Sequence, residues 1–311
     1  MQQRRKALRR EYKGKLAMIS IITVAFNAGE ELKNTLESVL SQQNRDKSRF
    51  TDFECVVVDG GSTDGSVDVL NAYRERFDAA GIHFDARSEK DNGIYDGMNK
   101  GITRASGDWM YFLNAGDVFY SKYVLCDMSL ELEGAAEEAA KPENVSNLRQ
   151  ADVIYGDICS FIENGGTRRE YIMKSGDDME TIRTNLPFCH QAAFINRRLH
   201  EKRLYSARYA LAADYEFFLK AWLDGAKFRH VPIVTALFAL DGASNRKRRQ
   251  LFREYEQIRR ENGIAKTGAA GAFAHVWGHF KITVADLMPK RLVYRIMEKR
   301  INAASSADTD N

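Results

Sequence analysis

The chain has 311 residues, 44% of them hydrophobic and 29% charged, with a formal net charge of +3. That apolar share supports a sizeable core in one large domain, or in one domain with an appendage, and excludes disorder over most of the length. The charge balance argues against a general nucleic-acid binder, and no run approaches the 18 apolar residues of a membrane span.

Residues 1–16 form a basic N-terminal segment, with Arg4, Arg5, Lys6, Arg9, Arg10, Lys13 and Lys15 against Glu11. It lacks the apolar stretch of a signal peptide. The β-rich run Met18–Phe26 predicts a buried strand ending at Asn27-Ala28-Gly29. Residues 30–43 set Leu32, Leu36, Val39 and Leu40 at helical spacing. A second strand, 53–58, stops at Asp59-Gly60-Gly61-Ser62, and Thr63 or Asp64 is positioned to cap a helix bearing Val67, Leu70 and Phe77. Residues 82–86 predict a third strand and 95–105 a helix. A fourth strand, 109–113, leads into Asn114-Ala115-Gly116-Asp117. This alternation predicts an α/β fold: a mainly parallel sheet with helices on both faces and ligands at the carboxyl ends of the strands. Three of the four strands end there in Asn27, Asp59, and Asn114 with Asp117. A purely structural sheet needs turns at both ends, but not carboxylates gathered at one.

Residues 131–150, rich in Glu and Ala, read as a helix end and an exposed loop. Strands are expected at 152–161 and 167–173, paired across Asn164-Gly165-Gly166. Further expectations are a short helix at 177–184, a strand at 191–195, a helix at 212–223 and a strand at 228–237. Beyond Asp241 the chain turns basic, with Arg246, Lys247, Arg248 and Arg249, then Lys290, Arg291 and Arg295, and one or two amphipathic helices within 270–302. Such clusters suit an anionic lipid surface or polyphosphate, or simply form a solvated face. A tail, 303–311, is expected to lack order. Cys55, Cys126, Cys159 and Cys189 show no C-x-x-C spacing and read as reduced thiols of a cytoplasmic protein.

Each chemical motif has two readings. The Asp59 loop offers a carboxylate to a base N–H or ribose hydroxyl, or is a turn that caps a helix. It matches neither a phosphate-binding loop with its lysine nor the dinucleotide glycine pattern. Asp117 is an oxygen ligand suited to Mn²⁺ or Mg²⁺, or ends a strand. Asp214 opens a helix, where the dipole favours its ionised form; it is a proton acceptor or a solvated acid. His190 and Gln191 line an acceptor pocket or occupy a polar loop. His275 and His279, four apart, lack the glutamate of a zinc helix.

Taken together, residues 19–245 resemble the family 2 glycosyltransferases of GT-A fold. The resemblance rests on Ile21-Ile22-Thr23-Val24-Ala25-Phe26-Asn27, on Val57-Val58-Asp59-Gly60-Gly61-Ser62-Thr63-Asp64-Gly65, and on the segment from Ser88 to Gly101. That last segment is similar to one in members that build bacterial surface polysaccharides. The resemblance implies a GT-A domain over 17–245, with a nucleotide-binding half (17–120), an acceptor half (121–245) and a basic helical extension (246–302). It implies that Asp59 contacts the nucleoside and that Thr23, Ala25 and Asn27 border its pocket. Asp91, Gly93 and Lys100 would flank the donor, with Asn114 beside them. Asp117 would hold the metal, and Asp214 would be the catalytic base.

The family's metal motif often has Asp where this chain has Asn114 and Gly116, and the acid pair at the base is here Ala213-Asp214. No Q-x-x-R-W sequence is evident, so one sugar per encounter is expected. The implied activity is inverting transfer from a nucleotide diphosphate-sugar to a saccharide or lipid-linked acceptor, with Mn²⁺ or Mg²⁺. The implied location is the cytoplasm, with peripheral attachment to the inner face of the membrane. Two other readings fit the same residues. One is a sugar-phosphate nucleotidyltransferase, disfavoured because Asn27-Ala28-Gly29-Glu30 has no Lys or Arg; the other is a catalytically silent nucleotide-sugar-binding module.

Overall fold

The computed structural model describes residues 17–140, 151–164, 167–239 and 247–265. The chain divides into two compact units, Met1–Leu240 and Asp241–Asn311. The expectations for residues 1–16, 270–302 and 303–311, and for His275 and His279, lie outside the described residues.

In the first unit, β1 (Ile19–Ala25) and β2 (Phe53–Asp59) are each buried at all seven positions. Both strands are therefore covered on both faces, polar positions Ser20, Thr23 and Glu54 included. β1 pairs in parallel with β2 and with β4 (Trp109–Phe112), and β2 pairs in parallel with β3 (His83–Ser88) at the edge. The connections are α1 (Gly29–Leu40), α2 (Ser66–Ala79) and α3 (Ile94–Arg104). The order β3-β2-β1-β4 reverses direction between β1 and β4. Crevices form at the carboxyl ends of strands at such a reversal.

The sheet then continues with strands of both directions. β8 (Ala193–Asn196) is antiparallel to both β4 and β6 (Val153–Asn164), and β6 is parallel to β9 (Phe228–Ala239). β5 (Val118–Phe119) closes the far edge against β9, and β7 (Thr167–Met173) forms the expected hairpin with β6. The nine strands run β3-β2-β1-β4-β8-β6-β9-β5, with β7 on β6. Pro232 falls where the β6–β9 register shifts, between the pairs Tyr155–His230 and Asp157–Val234, so its missing N–H costs no ladder bond. The helices of this half are α4 (Val124–Ala140), α5 (Arg197–Lys202) and α6 (Ala213–Leu223).

Three sequence readings need correction. Helix α4 runs through residue 140, so the Glu- and Ala-rich stretch is helix rather than loop up to that point. Val67 is 36% exposed; Leu70, Tyr73 and Phe77 form the buried face of α2 instead. The cap of α2 is Gly65 at φ 93°, while Asp64 accepts from the Ser66 N–H at 3.1 Å. The second unit, taken by itself, contributes α7 (Arg248–Glu261), a basic helix with Arg259 and Arg260 in its last turn. Among the described residues no helix is long and apolar enough to cross a membrane.

Candidate functional site

The carboxyl ends of β1 and β2 are laced together. Asp59 is fully buried, and its Oδ2 accepts from the Ser62 backbone N–H (2.9 Å) and the Ser88 hydroxyl (2.6 Å), while Oδ1 accepts from the Ser62 hydroxyl. Ser88 ends β3 as Asp59 ends β2, and the two face each other in the register. Asn27, at φ 48°, donates its N–H to Ser62 Oγ (2.7 Å), and its side-chain oxygen accepts from Thr63 N–H (3.0 Å). A carboxylate has about four acceptor sites, so Asp59 keeps capacity for one further donor. Thr23 is fully buried, with its hydroxyl unpartnered, and Ala25 is nearly so; both lie beneath the loop. Phe26 stands out of it, 64% exposed. Reading Phe26 only as the end of an apolar strand missed this open ring.

Helix α3 lies unusually close on β1. A Cβ on Gly97 would stand 2.7 Å from Val24 Cγ1, and one on Gly101 would stand 2.4 Å from Ile22 Cγ2. The two glycines, four apart, form one small-residue face. This approach brings Asp91 into the site: its carboxylate lies against both Gly60 and Gly97 and accepts from Gly93 N–H at 2.9 Å. Lys100 donates to the Lys90 carbonyl at 2.6 Å and pairs with Asp96 at 3.7 Å, so it braces this loop.

On the other side of β1, the Asn114–Asp117 turn is closed by Asp117 N–H to Asn114 C=O (2.9 Å), with Gly116 at φ 98° in the third position. A turn of this shape favours glycine there, which accounts for one departure from the family's acidic motif. Thr35 of α1 pins the turn: its hydroxyl donates to Asp117 O (2.8 Å) and accepts from Gly116 N–H (3.0 Å). The Asp117 side chain is bonded by Gln191. Burial pushes its carboxyl up to about 7, and the nearby Glu31 adds to the rise while Gln191 opposes it. Gln191 is oriented in turn by the Cys189 thiol, which donates to its Oε1 at 2.8 Å.

The donor set suits a hard divalent cation: the Asp117 carboxylate, the Asn114 Oδ1, which is buried without a hydrogen-bond partner, and Glu31 beside Gly116. Among the described residues no three His, Cys, Asp or Glu side chains gather into a complete cage. Phosphate oxygens and water would have to complete the shell.

Asp214 sits in the first turn of α6 and keeps some solvent access, while residues 212, 213 and 215–219 are buried. Its Oδ1 accepts from the Tyr95 hydroxyl (2.9 Å) and from Tyr215 N–H (2.8 Å). Ala213 is fully buried. His190 is buried, 2.8 Å from the Tyr205 hydroxyl and packed on Phe112 and Phe218; burial lowers its pKa, while Asp214 opposes the fall. His190 thus turns inward, and Gln191 is the half-buried neighbour that reaches Asp117. Cys189 ties the arrangement together: burial pushes its thiol up to about 12, and the charges of both Asp117 and Asp214 add to the rise. Asp59 faces Ala25 at the end of β1, Asp91 lies against Gly60 and Gly97, the turn that carries Asp117 donates from Ala115 N–H to the Val24 carbonyl at 3.1 Å, and Asp214 is bonded by Tyr95 of α3, the helix seated on β1. The sequence reading missed Glu31, Ser62, Ser88 and the contacts of Tyr95.

This fold is that of the GT-A glycosyltransferases. The chain belongs to glycosyl transferase family 2, whose model matches residues 20–204, more than half its length. It is 29% identical over 232 residues to a PGL/p-HBAD biosynthesis glycosyltransferase of Mycobacterium tuberculosis, covering 73% of this chain and 79% of that one. It is 30% identical over 207 residues to an uncharacterized glycosyltransferase of the same species, covering 66% and 69%. Among solved structures it is similar to S. aureus TarS 1-349 in complex with UDP, with a TM-score of 0.54, 17% identity, and 78% and 64% of the two chains covered. The match spans 39% of the longer TarS chain. It is also similar to the mannosyltransferase PcManGT from Pyrobaculum calidifontis, in complex with GDP-Man and Mn2+, with a TM-score of 0.55, 16% identity, and 89% and 76% covered.

Proposed function

We propose that this glycosyltransferase transfers one sugar per encounter from a nucleotide diphosphate-sugar to a hydroxyl of a saccharide or lipid-linked saccharide, with inversion, in the making of a bacterial surface polysaccharide or glycolipid. The observation that carries the reading is the 2.9 Å hydrogen bond from the Tyr95 hydroxyl to Asp214: Tyr95 opens α3, and Asp91 lies against Gly97 of the same helix, although Asp91 and Asp214 are far apart in the chain. This supports a proton acceptor and a donor-side carboxylate meeting at one end of α3.

In this reading Asp59 takes a donor from the nucleoside, the open ring of Phe26 offers a stacking face to the base, and Asp91 with the Gly93–Lys100 segment flanks the donor. The acceptor oxygen attacks the anomeric carbon, its proton passes to Asp214, and the bond from that carbon to the diphosphate breaks. One displacement inverts the anomeric centre. Asp117, Asn114 and Glu31 would hold Mn²⁺ or Mg²⁺, which when bound neutralises charge on the departing nucleoside diphosphate.

The test is release of nucleoside diphosphate from UDP-GlcNAc, GDP-mannose and a wider donor panel with Mn²⁺. Wild type is expected to turn over one donor, and Asp214→Asn to lose about 10²- to 10⁴-fold in kcat while still binding UDP or GDP. Undiminished turnover in Asp214→Asn would remove it from the base role. Donor binding without any release by wild type would favour the silent module.

The proposed location is the cytoplasmic face of the membrane, held peripherally by basic residues such as those of α7. Co-sedimentation with anionic but not neutral vesicles is expected, and equal binding to both would remove the electrostatic part.

A further inference from the structure

We infer that Tyr95 is a positioning residue for Asp214: its hydroxyl fixes Oδ1 and leaves Oδ2 as the oxygen that receives the acceptor's proton. This rests on the reading of Asp214 as the base. Both protein donors that reach this carboxylate among the described residues, the Tyr95 hydroxyl and the Tyr215 N–H, do so at Oδ1. The Tyr95 hydroxyl lies 3.0 Å from the Leu211 carbonyl as well, so it bridges the segment before α6 and the carboxylate that α6 carries.

Tyr95 is itself held from several sides. It is 9% exposed, and its ring packs on Tyr205 at 5.6 Å between centroids. One helical turn on, Asn99 grips the backbone of Tyr205 at both ends: its amide donates to the carbonyl (2.8 Å) and its oxygen accepts from the N–H (2.9 Å). Residues four apart share a helix face. One face of α3 therefore carries Tyr95 and Asn99 toward the acceptor half, while Gly97 and Gly101 seat the helix on β1. The other groups around the Asp214 carboxylate are Tyr205, His190 and Cys189. Their polar atoms bond elsewhere among the described residues, His190 and Tyr205 to each other and Cys189 to Gln191. The segment from Ser88 to Gly101 thus reaches beyond the donor and sets the direction of the base.

The experiment compares wild type, Tyr95→Phe, 3-fluorotyrosine at position 95 and Asp214→Asn, using the donor and acceptor that the panel above identifies. Thermal unfolding shows that each is folded. Tyr95→Phe is expected to lower kcat about 10- to 100-fold, the loss of one hydrogen bond to a charged group, with both KM values within about twofold of wild type. The fluorinated tyrosine keeps a donor and is expected to restore most of the loss. Unchanged kcat in Tyr95→Phe beside an inactive Asp214→Asn overturns the inference and spares the base assignment. A folded fluorotyrosine protein as slow as Tyr95→Phe overturns it too. An active Asp214→Asn removes the base assignment itself.

Discussion

At the scale of single residues, His200 shows how an aromatic nest shapes pH dependence. It is 4% exposed, stacked on Phe217 at 4.7 Å, with Phe112 and Tyr205 at its edges. Burial pushes its pKa down to about 3, and a charged His190 lowers it further. The unfolded chain therefore binds a proton below about pH 6.5 that the folded chain refuses, so stability falls as pH drops through the window from about 6.5 to 3. At pH 5 the His200 contribution to that loss is about 2 kcal/mol. His190, also lowered by burial, acts in the same direction. Denaturant midpoints at pH 7 and pH 5 check this: His200→Phe should lose less stability over the interval than wild type, and an identical loss would contradict the account. The individual acids stand out in the sequence for different reasons: Asp59 closes an apolar run, Asp117 follows one across a turn, and Asp214 opens a helix. Their partners do not: Ser88 meets Asp59 only through the β2–β3 register, and Gln191 meets Asp117 only through the packing of distant segments.

Among the elements, α3 carries the sharpest constraint. Its seat on β1 depends on two missing side chains, and adding a methyl group at Gly101 would drive it into Ile22. Gly101→Ala is expected to cost about 1–3 kcal/mol by overpacking and to lower Tm by several degrees, measured by thermal unfolding. Gly93→Ala strains a φ of 115° instead, with no atom within 4 Å of the new Cβ, so the two substitutions separate crowding from backbone strain. The parallel elements were readable because β1 and β2 are long and wholly buried, and because helical spacing marks α1 clearly. The acceptor half was harder. β5 has two residues and α5 six, too few for either period to register, and the strand read from Gln191 begins two residues later, after a tight turn over His190–Ala192.

For the first unit as a whole, the order of the sheet has a mechanical consequence. β4 and β5 are neighbours in the chain, separated by five residues, 113–117, yet β8, β6 and β9 lie between them in the sheet. Across a flat sheet those four steps would span about 19 Å, nearly the full reach of so short a link, which also contains a closed turn. The sheet must curl to bring β5 back, and Phe119 accordingly donates to Ser38 of α1, the helix that follows β1. Asp117 therefore rides on a strap drawn across a bent plate, and flattening the plate would haul on the strap. Parting the two halves like jaws is not open to this molecule without displacing that carboxylate.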